Sequence, residues 1–356
     1  MQETAEKREN SGAKRPILIV PYVWIGDFVR CHSVVRLLRA AESDRPVDIV
    51  SSTLCAPLAD YMPGVRRAIV ADLPRRRLGL TEQLRLSVQL RRGHYAQALI
   101  MSRKWKAALA PTLAGIPLRT GFVGEARFGF VNDLRFGERR LPRMIDQMGA
   151  LALPKGGATQ PRDWPLPELR VPPDGLAAWR TRRGLGSEPR PIVALSPGAV
   201  GLGKAWPPGH YADMALRLTR TGAAVWVLGG PNETQIARDI AAAAGPNARD
   251  LTGTNLRDAV LALAAADIAV SNDSGLMHVA AALGTPTVAI FGPTSPWHWK
   301  PLNRVSVILE PEGDPDARAR ARTEGNYAVA HHRTADVPVG RVERAIRQVL
   351  ATEPVN

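Results

Sequence analysis

At 356 residues, with 45% apolar and 22% charged side chains, the chain is too long for one ordinary core and too apolar to be disordered, so two globular domains are expected. No apolar run reaches the roughly 18–20 residues that cross a bilayer, and the polar opening MQETAEKRENSGAKRP lacks the parts of a signal peptide, leaving the expectation of a soluble, cytoplasmic protein. Two cysteines, Cys31 and Cys55, in apolar segments support neither a disulfide framework nor a thiolate metal site, and a formal charge of +14 asks for an anionic partner without choosing among nucleic acid, lipid and phosphorylated substrate.

Residues 1–15 read as a flexible tail. The runs PILIVPY (16–22), VDIVSS (47–52), RRAIVA (66–71) and QALIMS (97–102) read as buried parallel strands, and one-sided helical patterns lie between them, over 27–41 and 80–90. Strand, helix, strand is the βαβ signature and favours an open sheet covered by helices. Pro and Gly then crowd 154–173, where the domain linker is placed. Alternation restarts at Pro191 with PIVALSPG, followed by AVWVLGG (224–230), AADIAVSND (265–273) and PTVAIFGPT (286–294), a second Rossmann-like unit. The segment 311–335 reads as charged loop, and 337–350 as a closing helix with Val339, Val342, Ile346 and Val349 on one face. The boundaries are therefore 16–172 and 173–356.

In open α/β sheets ligands gather beyond the carboxyl ends of the strands, where helix amino ends offer N–H groups. At the junction SNDSGLMH (271–278), the Ser274 and Gly275 backbone could donate to a diphosphate, Asp273 could accept from sugar hydroxyls, and His278 lies one turn from Ser274. A helix cap with a buried histidine is the alternative. SPGAVGLGKAWP (196–207) begins at Ser196 and Gly198, and Lys204 supplies a point charge for a leaving diphosphate; it is no P-loop, since Ala205 stands where a hydroxyl is required. Glu233, in LGGPNE, could hold ribose hydroxyls or only favour the helix dipole. In VWIGDFVR (23–30), Asp27 could be an N-cap or a base that takes a proton from an attacking hydroxyl. Arginine clusters at 75–77 and at Arg103, Lys104, Lys106 fall in the first half and the nucleotide-like motifs in the second, which suggests two anionic ligands.

Together these junctions resemble glycosyltransferase family 9, the inverting heptosyltransferases of the lipopolysaccharide core. The likeness is carried by W-x-G-D at Trp24–Asp27, P-G-A…K-x-W-P from Pro197 to Pro207, and D-S-G-x-x-H at Asp273–His278 leading into FGPT. The stretch 106–135 is similar to the branch that adds the second heptose. The resemblance implies a GT-B fold, two facing Rossmann-like α/β domains with parallel sheets and a cleft between them. It implies Asp27 as general base and Lys204 at the diphosphate or acceptor, Glu233 at the ribose, Asp273 at the donor sugar, Ser274 and Gly275 at the diphosphate, and His278 supporting that turn, with Ser196 and Gly198 lining the donor pocket.

The implied reaction is inverting transfer of heptose from ADP-heptose to a heptosyl-Kdo-lipid A acceptor, with no metal and no cofactor. Trp24, Arg103, Lys104, Lys106, Arg119 and Arg127 are candidates for acceptor contacts, a solvated basic face being the alternative. A lipid acceptor implies peripheral docking on the inner face of the plasma membrane. Ala205 and a cysteine-free 311–335 depart from many close relatives and leave the donor sugar open, so a transferase for another nucleotide sugar is the rival. Nucleic-acid binding lacks any zinc-finger, RRM or recognition-helix signature.

Overall fold

The computed structural model describes residues 14–74, 77–253, 255–312 and 332–352. Residues 1–13 of the expected tail, Arg75, Arg76 and 313–331 of the expected loop lie outside them.

The chain forms two α/β units. In chain order the first half contains β1 (Ile17–Val20), α1 (Ile25–Arg30), α2 (His32–Ala41), β2 (Val47–Ser51), α3 (Ala56–Ala59), β3 (Val65–Val70), α4 (Leu80–Arg91), β4 (Gln97–Ile100), α5 (Lys106–Leu113), β5 (Leu118–Phe122), β6 (Asp133–Arg135) and α6 (Met144–Ala152). Its six strands pair in parallel in the order β3-β2-β1-β4-β5-β6. The core packs Leu18, Val20, Ala98 and Ile100 of the central strands against Leu86 and Leu90 of α4 and the ring of Tyr95. Asp48, fully buried on β2, is held by Arg66 at 2.8 and 2.7 Å, Arg67 at 2.9 Å and the Tyr95 hydroxyl at 2.6 Å.

The second half contains α7 (Pro173–Arg182), β7 (Ile192–Ser196), α8 (Pro208–Arg220), β8 (Ala224–Val227), α9 (Thr234–Ala244), β9 (Ala248–Asp250), α10 (Leu256–Ala265), β10 (Ile268–Asn272), α11 (Gly275–Leu283), β11 (Thr287–Ile290), α12 (Pro296–Trp299), β12 (Ser306–Leu309) and α13 (Val339–Thr352). Its sheet repeats the plan in the order β12-β11-β10-β7-β8-β9, again all parallel. Valine, leucine and isoleucine of β7, β8, β10 and β11 are sealed by Trp206, Tyr211, Met214 and, from α13, Val342, Ile346 and Val349.

All eight expected strands are present, and four more, β5, β6, β9 and β12, extend the sheets toward or at their edges. LRTGF, DLR and ARD carry too few apolar residues to read as buried strands, because an outlying strand is covered on fewer sides. The expected helix over 27–41 is divided at Cys31 into α1 and α2. That division matters, because Trp24–His32 packs as part of the second unit rather than with 16–172. The cause is steric. Where α1 lies on α11 both helices present glycine: a Cβ at Gly26 would stand 2.5 Å from His278 Cδ2, and one at Gly275 would stand 2.8 Å from Ile25 Cβ. The expected linker has no regular element between α6 and α7, yet it is anchored. Trp164 donates to Asp146 at 2.7 Å in the first unit, while in the second the Glu168 amide donates to His32 Nδ1 at 2.9 Å and the Leu169 amide to the Ala282 carbonyl at 2.7 Å.

Candidate active site

In the second sheet the strand order reverses between β7 and β10, and the crevice beyond their carboxyl ends is where a ligand of such a sheet binds. Ser196 closes β7 and is buried, with an Oγ that has no hydrogen-bond partner. The loop behind it needs glycine twice, since Gly201 and Gly203 hold φ of +123° and +74°. Its middle is open to solvent, Val200 and Leu202 being 73% and 99% exposed. Its ends are tied. The buried amide of Asn272 donates to the Pro197 carbonyl at 2.7 Å and accepts from the Trp206 amide at 3.0 Å and the Tyr211 hydroxyl at 3.1 Å. Thr334 Oγ1 donates to the carbonyls of Gly203 and Ala205 at 3.1 and 2.7 Å.

Lys204 leaves this loop toward β10 and pairs with Asp273 Oδ2 at 2.7 Å; the Thr294 hydroxyl donates to the same oxygen at 2.7 Å. Ser274 caps α11 from an extended backbone without a side-chain hydrogen bond to the first helical amides, which keeps the positive end of the helix free of an internal acceptor. Ser274 Oγ lies 3.2 Å from Ser271 Oγ. Glu233 ends a single 3-10 turn, where its Oε2 accepts from the Gly230 amide at 2.8 Å. Its carboxyl also lies against Gly198, where a Cβ would come within 3.0 Å of it.

On α1, Asp27 is 9% exposed and shares this environment with Asp273, Lys204 and Arg30. Burial raises its pKa to about 6; Asp273 adds to the rise, and Arg30 and Lys204 oppose it. A carboxylate so tuned is half-ionised near pH 6 and mostly ionised at neutral pH, the form a general base requires. Burial, with Arg30 and Lys204 nearby, depresses the pKa of His278 well below the usual value, so the ring is neutral. Arg30 Nε donates to His278 Nδ1 at 3.4 Å, which places the ring proton on Nε2.

Arg30 was not among the residues that motif spacing singles out. It is 1% exposed, donates to the carbonyls of His298 and Lys300 at 3.1 and 3.2 Å, and stacks 5.0 Å from the Trp299 ring centroid. Asn272 was likewise passed over inside its own motif. The signal for Arg30 was an arginine at i+3 from an acid on an otherwise apolar helix face; for Asn272 it was an amide ending a strand of buried residues.

The candidates for acceptor contacts lie in the first unit, apart from Trp24, which precedes α1 in the second and is 48% exposed. Arg103, Lys104 and Lys106 follow the carboxyl end of β4, beside the reversal between β1 and β4. Arg103 pairs with Glu138 at 3.0 Å, Lys104 is exposed, and Lys106 Nζ donates to the Pro74 carbonyl at 3.1 Å. Two expectations are corrected. Arg119 stands at the amino end of β5 and donates to the backbone carbonyls of Ile116, Phe130 and Gly129, so it braces the β5–β6 loop at the far end of the sheet. Arg127 is 1% exposed, and its guanidinium clasps the carbonyls of Ser102 and Phe122, so it joins the ends of β4 and β5 rather than offering a surface charge. Among the described residues no three His, Cys, Asp or Glu side chains converge as a metal ion would require.

Residues 83–327 match the family model described as glycosyltransferase family 9 (heptosyltransferase). Lipopolysaccharide heptosyltransferase 2 of Salmonella typhimurium is 35% identical over 352 residues, which cover 95% of this chain and 99% of that protein. The solved structure of Escherichia coli ADP-heptose lipopolysaccharide heptosyltransferase II superposes with a TM-score of 0.82 at 32% identity, covering 95% and 99% of the two chains. A second E. coli heptosyltransferase, solved with ADP-2-deoxy-2-fluoro heptose, shares the fold with a TM-score of 0.70 at 18% identity, covering 94% and 99%.

Proposed function

Because the chain belongs to glycosyltransferase family 9, the heptosyltransferases, we propose that it transfers a heptose from ADP-heptose to the lipopolysaccharide inner core, with a heptosyl-Kdo-lipid A acceptor and inversion at the anomeric carbon. Asp27 takes the proton of the attacking hydroxyl. That oxygen forms the new bond to the anomeric carbon as the bond to the diphosphate breaks, and the released electron pair stays on ADP. Lys204 and the amino end of α11 balance the charge that develops on the departing diphosphate, without a metal. Asp273 binds donor hydroxyls once Lys204 turns toward phosphate, and Glu233 and Gly198 line the ribose end. Arg103, Lys104 and Lys106 meet acceptor anions, and the protein works at the inner face of the plasma membrane. Among the described residues no helix is long and apolar enough to cross a membrane.

The observation that carries this reading is the convergence, beyond β7 and β10, of Asp27 with the Lys204–Asp273 pair at 2.7 Å beside an uncapped helix amino end. A base, a sugar-binding carboxylate and a cation for the leaving group are what an inverting transfer needs in one place. The test is product formation from ADP-heptose, compared with UDP-, GDP- and other ADP-sugars, on core acceptor lacking the second heptose. Product mass reports the sugar and proton NMR its anomeric configuration. A heptosylated product of inverted configuration is expected; transfer only from another nucleotide sugar, or with retention, would overturn the proposal.

A further inference from the structure

Helix α4 carries a buried face and, apart from it, an exposed apolar stripe. Gln83, Leu86, Ser87 and Leu90 are buried against the first unit. Leu80, Leu84 and Val88, spaced four apart and so stacked in one stripe, are 54%, 48% and 50% exposed, and Leu78 just before the helix is 37% exposed. Single exposed leucines are ordinary, but a contiguous stripe marks a surface that something covers. Around it stand Arg77, Arg85, Arg91 and Arg92, all exposed. The helix has one acid, Glu82, already paired with Arg77 at 2.7 Å. Arg91 donates to the Leu113 carbonyl at 2.7 Å, a neutral acceptor that leaves its charge uncompensated.

We propose that this face of α4 docks the protein on an anionic phospholipid bilayer, the aliphatic stripe entering the boundary between headgroups and acyl chains and the arginines meeting lipid phosphates. The choice of a bilayer rests on charge complementarity and on the reading above that the acceptor is a lipid. A second copy of the chain would set the same arginines against themselves across a two-fold contact, which disfavours self-association through this face. A bilayer supplies apolar depth and negative charge in the order the helix presents them.

The experiment is flotation of the full chain with vesicles of phosphatidylcholine alone or with added phosphatidylglycerol. Binding only to the anionic vesicles is expected, weakened by salt as the screening length falls to about 3 Å at 1 M. A Leu84→Ser/Val88→Ser variant should lose at least about tenfold in partitioning, and each arginine removed in an Arg85→Gln/Arg92→Gln variant about fivefold. Both should keep the wild-type melting temperature and wild-type turnover on a soluble core oligosaccharide freed of its lipid. Wild type that stays with the unbound fraction, variants that bind as well as wild type, or a dimer dissolved by the Leu84→Ser/Val88→Ser change would overturn docking through α4. Vesicle binding without heptosyl transfer would instead defeat the functional reading and leave the docking face standing.

Discussion

Replacing Asp27 by Asn keeps the shape of the side chain and removes its ionisation, so activity and stability should move in opposite directions. The Asp27 pKa rises from 3.8 to about 6, a shift of about 2 units, and at 1.36 kcal/mol per unit the ionised carboxylate costs the fold about 3 kcal/mol. A raised pKa means that the protonated acid is the form the fold favours. Its contribution is intact below pH 4, fades between pH 4 and 6 as the unfolded chain ionises first, and is gone above 6. The Asn variant should therefore match wild type near pH 4 and exceed it by up to about 3 kcal/mol at pH 8, or roughly 6–12 °C in the melting transition of a unit this size. Because Asp27 packs in the second unit, the shift belongs to that unit's transition. Turnover should fall by about 10²–10⁴-fold. Calorimetry at pH 4.5 and 8, with a transfer assay on the same protein, checks both. Wild-type turnover, or a stability difference that does not grow with pH, would refute the reasoning.

Arg30→Met removes the largest charge effect that favours ionised Asp27, so the acid limb of the kcat/KM profile should move to higher pH, and hydrogen exchange around 298–300 should quicken as two carbonyls lose their donor. Asn272→Leu, similar in size, leaves the Pro197 carbonyl and Trp206 amide without this partner and the Tyr211 hydroxyl with the Ser196 carbonyl alone; urea unfolding should show a loss of about 2–4 kcal/mol, and KM for the nucleotide sugar should rise more than kcat falls, because the 197–206 loop loosens. In the first unit, burial works against ionised Asp48, but Arg66, Tyr95 and Arg67 outweigh it and hold its pKa below the usual value. Asp48→Asn should cost that unit about 2 kcal/mol at pH 7, less than a fully buried pair because both arginines are half-exposed. Wild type should lose the same increment as pH falls through that depressed pKa, and the variant should not.

The parallel strands nearest the middle of each sheet were legible because burial on both faces writes an unbroken apolar run, as in ILIV and IVALS. DLR and ARD, at the edges, had no such run. SVIL of β12 did carry one and could have been read. Lys204 and Asp273 were found as separate motif residues, but their pairing at 2.7 Å depends on β7 and β10 lying side by side, which no local pattern encodes. Asp27 was found from its junction. That it packs in the second unit depends on Gly26 making room for His278 and Gly275 for Ile25, across two helices far apart in sequence. Arg119 and Arg127 misled because basic residues in sequence look alike whether they face solvent or hold backbone carbonyls.

The central claim, that a buried carboxylate on α1 serves as the base for sugar transfer, is tested most directly by the pH dependence of wild-type kcat/KM with ADP-heptose and a core acceptor. An acid limb centred near pH 6 is predicted, the value to which burial pushes Asp27. A limb near pH 4, the position of an ordinary exposed aspartate, or a rate that is flat from pH 5 to 8, would contradict the account.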